Sequence, residues 1–234
     1  MNAASDARSD SLRISIDTKA VLKLGELSRR GSSRGKEAVK AQDKDMDVRG
    51  KLVPFGILEV QSGVSTIVFG TSRETSDFLV DCLELWWNER KRAHENIREL
   101  VINLDNGPAL ASNRTQFIKR IAEFADRFGL EIHLVYYPPY HSKYNPVERM
   151  WGILEGHWNG TLLVDQQTAI EWAKTMTWKG ISPMVKILDK VFETGVRVAK
   201  KAFQVYRDRL ECNPLLPKWD VRIQPKHHYG QALG

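Results

Sequence analysis

Three acidic residues occupy positions from which their side chains could work together. Asp17 lies within a predicted apolar strand, Asp105 ends another, and Glu148 lies at the start of a predicted helix. In an open α/β sheet, sites form beyond the carboxyl ends of the strands, so the three carboxylates can converge there. Such a group attracts hard divalent cations, which prefer oxygen ligands. Two metals about 4 Å apart can activate a nucleophile and stabilise the leaving oxygen of a phosphodiester.

Each carboxylate also has a purely structural interpretation. Asp17 could be an exposed strand residue or an ion-pair partner, and Asp105 within Asp-Asn-Gly-Pro could simply initiate a turn. Glu148 follows Asn145 by three residues, which is the spacing of a capping box. The local pattern leaves these alternatives open.

Glu155 is the alternative to Glu148 on the same predicted helix. The two share nearly one face, but at about 1.5 Å rise per residue they lie roughly 10 Å apart along the axis. They therefore cannot ligate one metal together. Gly152 leaves open space one turn after Glu148, and so we assign Glu148 to the site.

The strands that must position these residues are predicted from period-two alternation and β-rich runs. They cover residues 12–17, 52–60, 64–69, 99–104 and 130–137. The residues at 61–63 suit a hairpin turn between the second and third strands. The basic, Gly- and Ser-rich segment 28–51 is predicted to be a long loop or irregular arm.

The predicted helices alternate with the later strands. A capping box at Thr71 and Glu74 indicates a helix that runs to about Arg92. Apolar residues from Phe117 to Phe128 recur at helical spacing, and Gly129 ends that helix. The next helix opens with Asn145 as cap and Pro146 in the first turn, and further helices are predicted near 166–176 and across 185–210.

The order of elements predicts an α/β domain with a mixed sheet. The expected organisation is a disordered N-terminus at 1–11, a catalytic core at 12–160, and a mostly helical C-terminal extension at 161–234. Trp151 and Trp158, seven residues apart on one helix, favour a core position over a base-stacking surface.

The amino-acid composition argues against several classes of protein. The chain has 234 residues, of which 42% are hydrophobic and 27% charged. This composition is typical neither of a disordered chain nor of a membrane protein, and no apolar run approaches the ~20 residues of a spanning helix. Cys82 and Cys212 form no CxxC pair, which argues against a thiolate zinc site or a disulfide framework and favours a reducing cytoplasm. The net charge of +6 and seven Trp favour a polyanionic partner.

Basic residues near these motifs are candidate phosphate contacts, although a solvated loop is an equally open interpretation for the arm. In the arm they are Arg29, Arg30, Arg34 and Lys36. His141, Lys143 and Arg149 lie close to Glu148 in sequence and could contact the scissile strand.

Three strings carry a resemblance to a known family: SIDTKAVLKLGELSRRG, LDNGP and YYPPYHSKYNPVERMWGILEGHWNG. Together they resemble the DDE transposases of bacterial insertion sequences, which have a ribonuclease H-like core. The nearest subfamily is the ISAzo type, a relative of the mariner-like elements. The most specific of the matched segments is PPYHSKYNPVERMW.

The resemblance implies that Asp17, Asp105 and Glu148 are the three metal-binding residues. It implies DNA strand cleavage and strand transfer with two Mg²⁺ or Mn²⁺ ions. The implied partners are the transposon ends and the target DNA, with a homodimer on DNA as one expected assembly, associated with the nucleoid. Lys19 and Asn106, which lie close to the two aspartates, are assigned to DNA binding with the basic residues above.

Two departures from the family pattern qualify these expectations. Relatives carry an N-terminal helix-turn-helix that recognises the transposon ends, so the chain is expected to be the catalytic part of a longer transposase or a truncated copy. Lys44 stands where the family pattern suggests His, so Asp43 and Asp45 are interpreted as loop residues. The alternatives are a hydrolytic nuclease of the same fold and a remnant that only binds DNA non-specifically.

Overall fold

A computed structural model describes residues 2–29, 40–42, 47–138 and 145–226. In these ranges the strands are β1 Ser11–Thr18, β2 Leu22–Leu24, β3 Gly50–Glu59, β4 Ser65–Gly70, β5 Glu99–Leu104, β6 Glu131–Tyr136, β7 Met184–Leu188, β8 Leu210–Cys212 and β9 Asp220–Ile223. The helices are α1 Asn2–Asp6, α2 Ser76–Arg90, α3 Thr115–Phe128, α4 Pro146–Trp158, α5 Gln166–Thr175 and α6 Lys200–Arg207, with a 3-10 turn at Lys91–His94.

The strands form one mixed sheet in the order β7-β4-β3-β1-β5-β6-β9-β8, with β2 paired to β3. Strand β3 is antiparallel to both β1 and β4, whereas β1, β5 and β6 run parallel. The central order β4-β3-β1-β5-β6 with these directions is that of a ribonuclease H-like sheet. The predicted fold class is therefore confirmed.

Helices cover both faces of the sheet, and each face has its own apolar core. Ile14 and Ile16 of β1 are fully buried in the core that includes the apolar faces of α2 and α3. The core on the other face contains apolar residues of β3 and β4 with Trp151 and Trp158 of α4. Both indoles are buried, as predicted. The sheet thus presents one of its faces to α4, the helix that carries Glu148.

One predicted boundary is wrong because a neighbouring contact outcompetes a local motif. Helix α2 begins after Thr75, whose hydroxyl accepts a hydrogen bond from the Phe78 N–H at 3.2 Å. The predicted cap residue Thr71 instead donates to Asp189 Oδ1 at 2.7 Å. The N-terminal residues, predicted to be disordered, include α1, where Asp6 pairs with Arg13 of β1 through two hydrogen bonds.

The C-terminal part contributes strands as well as helices. The helix predicted across 185–210 is wrong in its first half, because Met184–Leu188 forms β7 and pairs parallel with the exposed edge of β4. Only α6 is helical in that range. At the other edge, β9 pairs antiparallel with β6, and β8 with β9. Helix α3 does end at Gly129 as predicted, with the left-handed φ of 65° that glycine accommodates.

None of the helices in the described ranges is long and apolar enough to cross a membrane.

Candidate active site

Asp17 and Asp105 lie on neighbouring parallel strands at the same end of the sheet. The pairing of β1 with β5 runs to Ser15 opposite Asn103. Two residues further along each strand come Asp17, still within β1, and Asp105, the first residue after β5. This is the carboxyl edge of both strands, where an open α/β sheet forms its sites.

Glu148 lies in the first turn of α4. A buried network of hydrogen bonds connects the start of this helix to β1. The Ser15 hydroxyl donates to Asn145 Oδ1 and accepts from the Val147 N–H at 3.1 Å. Asn145 Nδ2 donates to the carbonyl of Ile16 at 3.2 Å. Asn145 thus occupies the predicted cap position, but its side chain makes no cap bond, and Ser15 binds a free helix N–H in its place.

Trp151 contacts Asp17 directly. The indole Nε1–H donates to Asp17 Oδ2 at 3.2 Å. The ring lies against Gly56 of β3, which is the register partner of Asp17. The prediction of a core position for Trp151 missed this contact, although its position three residues after Glu148 puts it on the same side of the helix.

The pKa of Asp17 responds to its burial and to the charges of the other two carboxylates. Burial and the negative charges of Glu148 and Asp105 raise the pKa of Asp17 to about 8, against the opposing effect of the Trp151 hydrogen bond. Asp105 Oδ1 accepts from the Gly107 N–H at 3.3 Å. Burial, with a further contribution from the Asp105 charge, also raises the pKa of Tyr136. Negative charge is therefore concentrated at this edge of the sheet.

The donor set consists of carboxylate oxygens, which is the chemistry that Mg²⁺ and Mn²⁺ prefer. In the part of the chain that the structure describes, no group of three or more His, Cys, Asp and Glu side chains is close enough to hold a metal ion as it stands. Asp17, Asp105 and Glu148 nevertheless fit such a cation by type and by charge, since a cation among them would offset the repulsion that raises the pKa of Asp17. They are the residues that could hold one.

Two of the basic residues predicted to bind DNA make contacts within the protein. Lys19 Nζ lies 2.8 Å from Glu155 Oε1, so Glu155, the alternative to Glu148, is an ion-pair partner. The Arg29 guanidinium lies over the Trp158 ring at 5.5 Å and donates to the carbonyl of Lys23. Burial lowers the pKa of Arg29.

The other predicted DNA contacts divide into exposed and undescribed residues. Arg149 is exposed beside Glu148, and Asn106 is exposed beside Asp105, with its Oδ1 accepting from the Ser112 N–H at 3.3 Å. The remaining predicted DNA contacts lie outside the described ranges: Arg30, Arg34, Lys36, His141 and Lys143. Asp43 and Asp45, which are predicted to be loop residues, also lie outside them.

A family model and several solved structures match this chain. The family model described as Rhodopirellula transposase DDE domain matches residues 2–225. None of the curated proteins matches the chain.

Two solved structures share weak similarity. A chain of the simian T-cell lymphotropic virus intasome, in complex with PP2A regulatory subunit B56 gamma, is 21% identical, with a TM-score of 0.39 over 64% of this chain and 39% of that one. The HTLV-2 integrase catalytic core domain in complex with magnesium, in its dimeric form, is 16% identical, with a TM-score of 0.40 over 74% and 92%. This protein therefore spans well under half of the intasome chain.

The family match begins before β1 and ends after β9, so it includes all three carboxylates and every strand of the sheet. This chain belongs to the family of transposase DDE domains.

Proposed function

We propose that this chain catalyses metal-dependent cleavage of DNA strands at transposon ends and their transfer to target DNA. The observation that carries the proposal is the position of Asp17 at the carboxyl edge of the sheet, where burial, and then the charges of Glu148 on α4 and Asp105 at the end of β5, raise its pKa. Perturbed titratable groups at the carboxyl edge of a sheet are typical of functional sites. Membership of a nucleotidyl-transfer family supports the same chemistry.

Asp17, Asp105 and Glu148 would hold two Mg²⁺ or Mn²⁺ ions. When bound, such ions lower the pKa of an attacking hydroxyl and stabilise the departing oxygen of a phosphodiester. The protein supplies the negative charge that retains them, and Trp151 fixes the orientation of the Asp17 carboxylate. Arg149 and Asn106, both exposed next to these residues, would contact the phosphates of the bound strand.

Both proposed steps, cleavage and transfer, form one bond to phosphorus for each bond that breaks, so neither requires a cofactor that donates a chemical group. In cleavage, water attacks the scissile phosphorus, the bond to the 3′ oxygen breaks, and the products are a 3′-hydroxyl and a 5′-phosphate. In transfer, that 3′-hydroxyl attacks a target phosphodiester, so one phosphodiester forms as another breaks. No covalent bond between protein and DNA is required.

A product assay with a labelled donor end tests the proposal. The duplex is incubated with the protein and plasmid target in Mg²⁺, in Mn²⁺ and in chelator. We expect nicked donor and donor joined to plasmid with either metal, and neither in chelator. Cleavage without joined product would instead identify a hydrolytic nuclease, and binding without either product would identify a DNA-binding remnant.

A further inference from the structure

We infer that Ser15 and Asn145 are positioning residues that set the spacing between the carboxylates of Asp17 and Glu148. The inference rests on the proposed function, because it concerns how the proposed metal ligands are held. We call the hydrogen bonds among Ser15, Asn145, the Ile16 carbonyl and the Val147 N–H the β1–α4 latch.

The latch joins the two elements that carry those carboxylates. Ser15 and Asp17 are two residues apart on β1, so their side chains leave the same face of the sheet. Asn145 and Glu148 are three residues apart at the start of α4, so a shift of one moves the other. The latch therefore connects the backbone beneath Asp17 to the backbone beneath Glu148 over a few covalent bonds.

The latch is buried, and its hydrogen bonds leave it little freedom. Ser15 is completely buried, and Asn145 is 1% exposed. Ser15 both donates and accepts, and Asn145 uses its oxygen towards Ser15 and its nitrogen towards Ile16. The pairing of β1 with β5 ends at Ser15, so the Ile16 carbonyl lies just beyond that ladder, where Asn145 meets it. Rotating either side chain would leave a buried polar group unpaired.

A helix cap alone would not require this arrangement. Asn at the cap position ordinarily bonds an N–H of its own helix, which would hold the helix start but would not tie it to a strand. Here the strand residue Ser15 binds the Val147 N–H, and the cap residue binds the strand. Without the latch, the first turn of α4 can shift relative to β1, and the Asp17–Glu148 spacing shifts with it. Supporting groups of this kind typically contribute about 10- to 100-fold to metal affinity.

Mn²⁺ binding to the whole chain tests the inference, with free Mn²⁺ measured by electron paramagnetic resonance. We expect Ser15→Ala and Asn145→Ala each to weaken binding by about 10- to 100-fold. Because Ser15→Ala and Asn145→Ala disrupt the same latch, the double variant should bind Mn²⁺ no more weakly than the weaker-binding of the two single variants. Ser15→Thr keeps the hydroxyl and should restore binding. Ser11→Ala is the matched control on the same strand, since its buried hydroxyl has no hydrogen-bond partner in the described residues.

Two further variants separate the possible failures. Asp17→Asn should abolish the Mn²⁺ binding. If it binds Mn²⁺ as the parent does, the proposed metal site is wrong. If binding depends on Asp17 but both latch variants bind like Ser11→Ala, the latch inference is overturned and the site stands. Thermal melting checks folding, and Ile132→Val, in the opposite core, shows whether an equal loss of stability alone weakens binding. Should Ser15→Ala not fold, Asn145→Ala carries the test, because it keeps the Ser15–Val147 bond.

Discussion

Two buried carboxylates on adjacent strands meet opposite electrostatic surroundings. Glu59, at the end of β3, is 1% exposed and receives Arg90 at 2.6 and 3.0 Å, with His94 at 3.2 Å. These partners outweigh burial and hold the pKa of Glu59 below its ordinary value. Asp17, on β1, is 9% exposed and accepts a hydrogen bond from the uncharged indole of Trp151. Burial and the negative charges of Glu148 and Asp105 together raise its pKa.

The difference separates an acid that the fold pairs with its own basic side chains from one that we propose as a metal ligand. The fold neutralises Glu59 with its own cations, so that carboxylate stabilises the folded state. At Asp17 the fold concentrates negative charge instead, which costs stability and suits the binding of an external cation. Burial alone does not distinguish Glu59 from Asp17. The charges around a buried carboxylate therefore indicate its role better than its burial does.

The largest expected effect is the loss of cleavage in Asp105→Asn. The amide keeps the shape of the side chain but removes a negative ligand, so Mg²⁺-dependent cleavage of a labelled duplex should disappear. Asp208→Asn, exposed at the end of α6, is the matched control and should cleave like the parent. Full activity in Asp105→Asn would remove Asp105 from the site.

The second prediction concerns stability, which should change in opposite directions at the two acids. Glu59→Gln leaves Arg90 and His94 without their carboxylate and should destabilise the protein by about 3 kcal/mol, since the 22% exposure of the Arg90 side chain keeps the effect near the lower limit for buried pairs. Asp17→Asn relieves repulsion and should be at least as stable as the parent. Urea unfolding without divalent cations, followed by tryptophan fluorescence, measures both. Equal destabilisation would contradict the comparison.

The third prediction is the pH dependence of that Glu59 contribution. Its pKa is lowered in the folded state from an ordinary 4.5, so the folded state favours the charged form. The contribution should be fully present above about pH 4.5, and it should be lost as the pH falls through the lowered folded value. The stability difference between the parent and Glu59→Gln should therefore be constant near neutrality and shrink in acid. A difference that does not shrink as the pH falls below about 4.5 would exclude the ion pair as its source.

The smallest effect is expected at the Lys19–Glu155 ion pair, which lies beside the proposed site. Glu155 is 44% exposed in its side chain, and we expect it to compete with DNA phosphate for Lys19, which is predicted to bind DNA. Because exposed pairs contribute up to about 1 kcal/mol, Glu155→Gln should tighten non-specific DNA binding by about two- to fivefold. Fluorescence anisotropy at several salt concentrations measures it. Glu171→Gln, in an exposed pair with Lys174 on α5, controls for the change in net charge and should have the smaller effect.

The central sheet and the three carboxylates could be predicted because their signals are local. Alternating apolar residues reveal β1, and the short strings around Asp17, Asp105 and Glu148 carry the family resemblance. The roles of those three residues remain a prediction. The burial of Trp158 could also be predicted, since a tryptophan on an apolar helix face is usually buried.

What could not be predicted depends on partners that are distant in sequence. Asn145 has the pattern of a helix cap, but its side chain meets Ile16, 129 residues earlier. The segment at 184–188 fits a helical spacing, but the unpaired edge of β4 makes it a strand. Lys19 looks like a free cation until α4 brings Glu155 to it. Each outcome was decided by a tertiary contact that overrides a local preference.

Gly56 limits sequence change at a position that affects Asp17 only indirectly, through Trp151. A β-carbon at this position would stand 2.6 Å from Trp151 Cζ2 and 2.7 Å from Met150 Cε, too close for either to stay where it is. The first methyl group added there would push the indole away from the Asp17 carboxylate. In a lineage that keeps this tryptophan, position 56 is therefore expected to remain glycine, and drift to alanine there would mark copies whose proposed metal site has begun to decay.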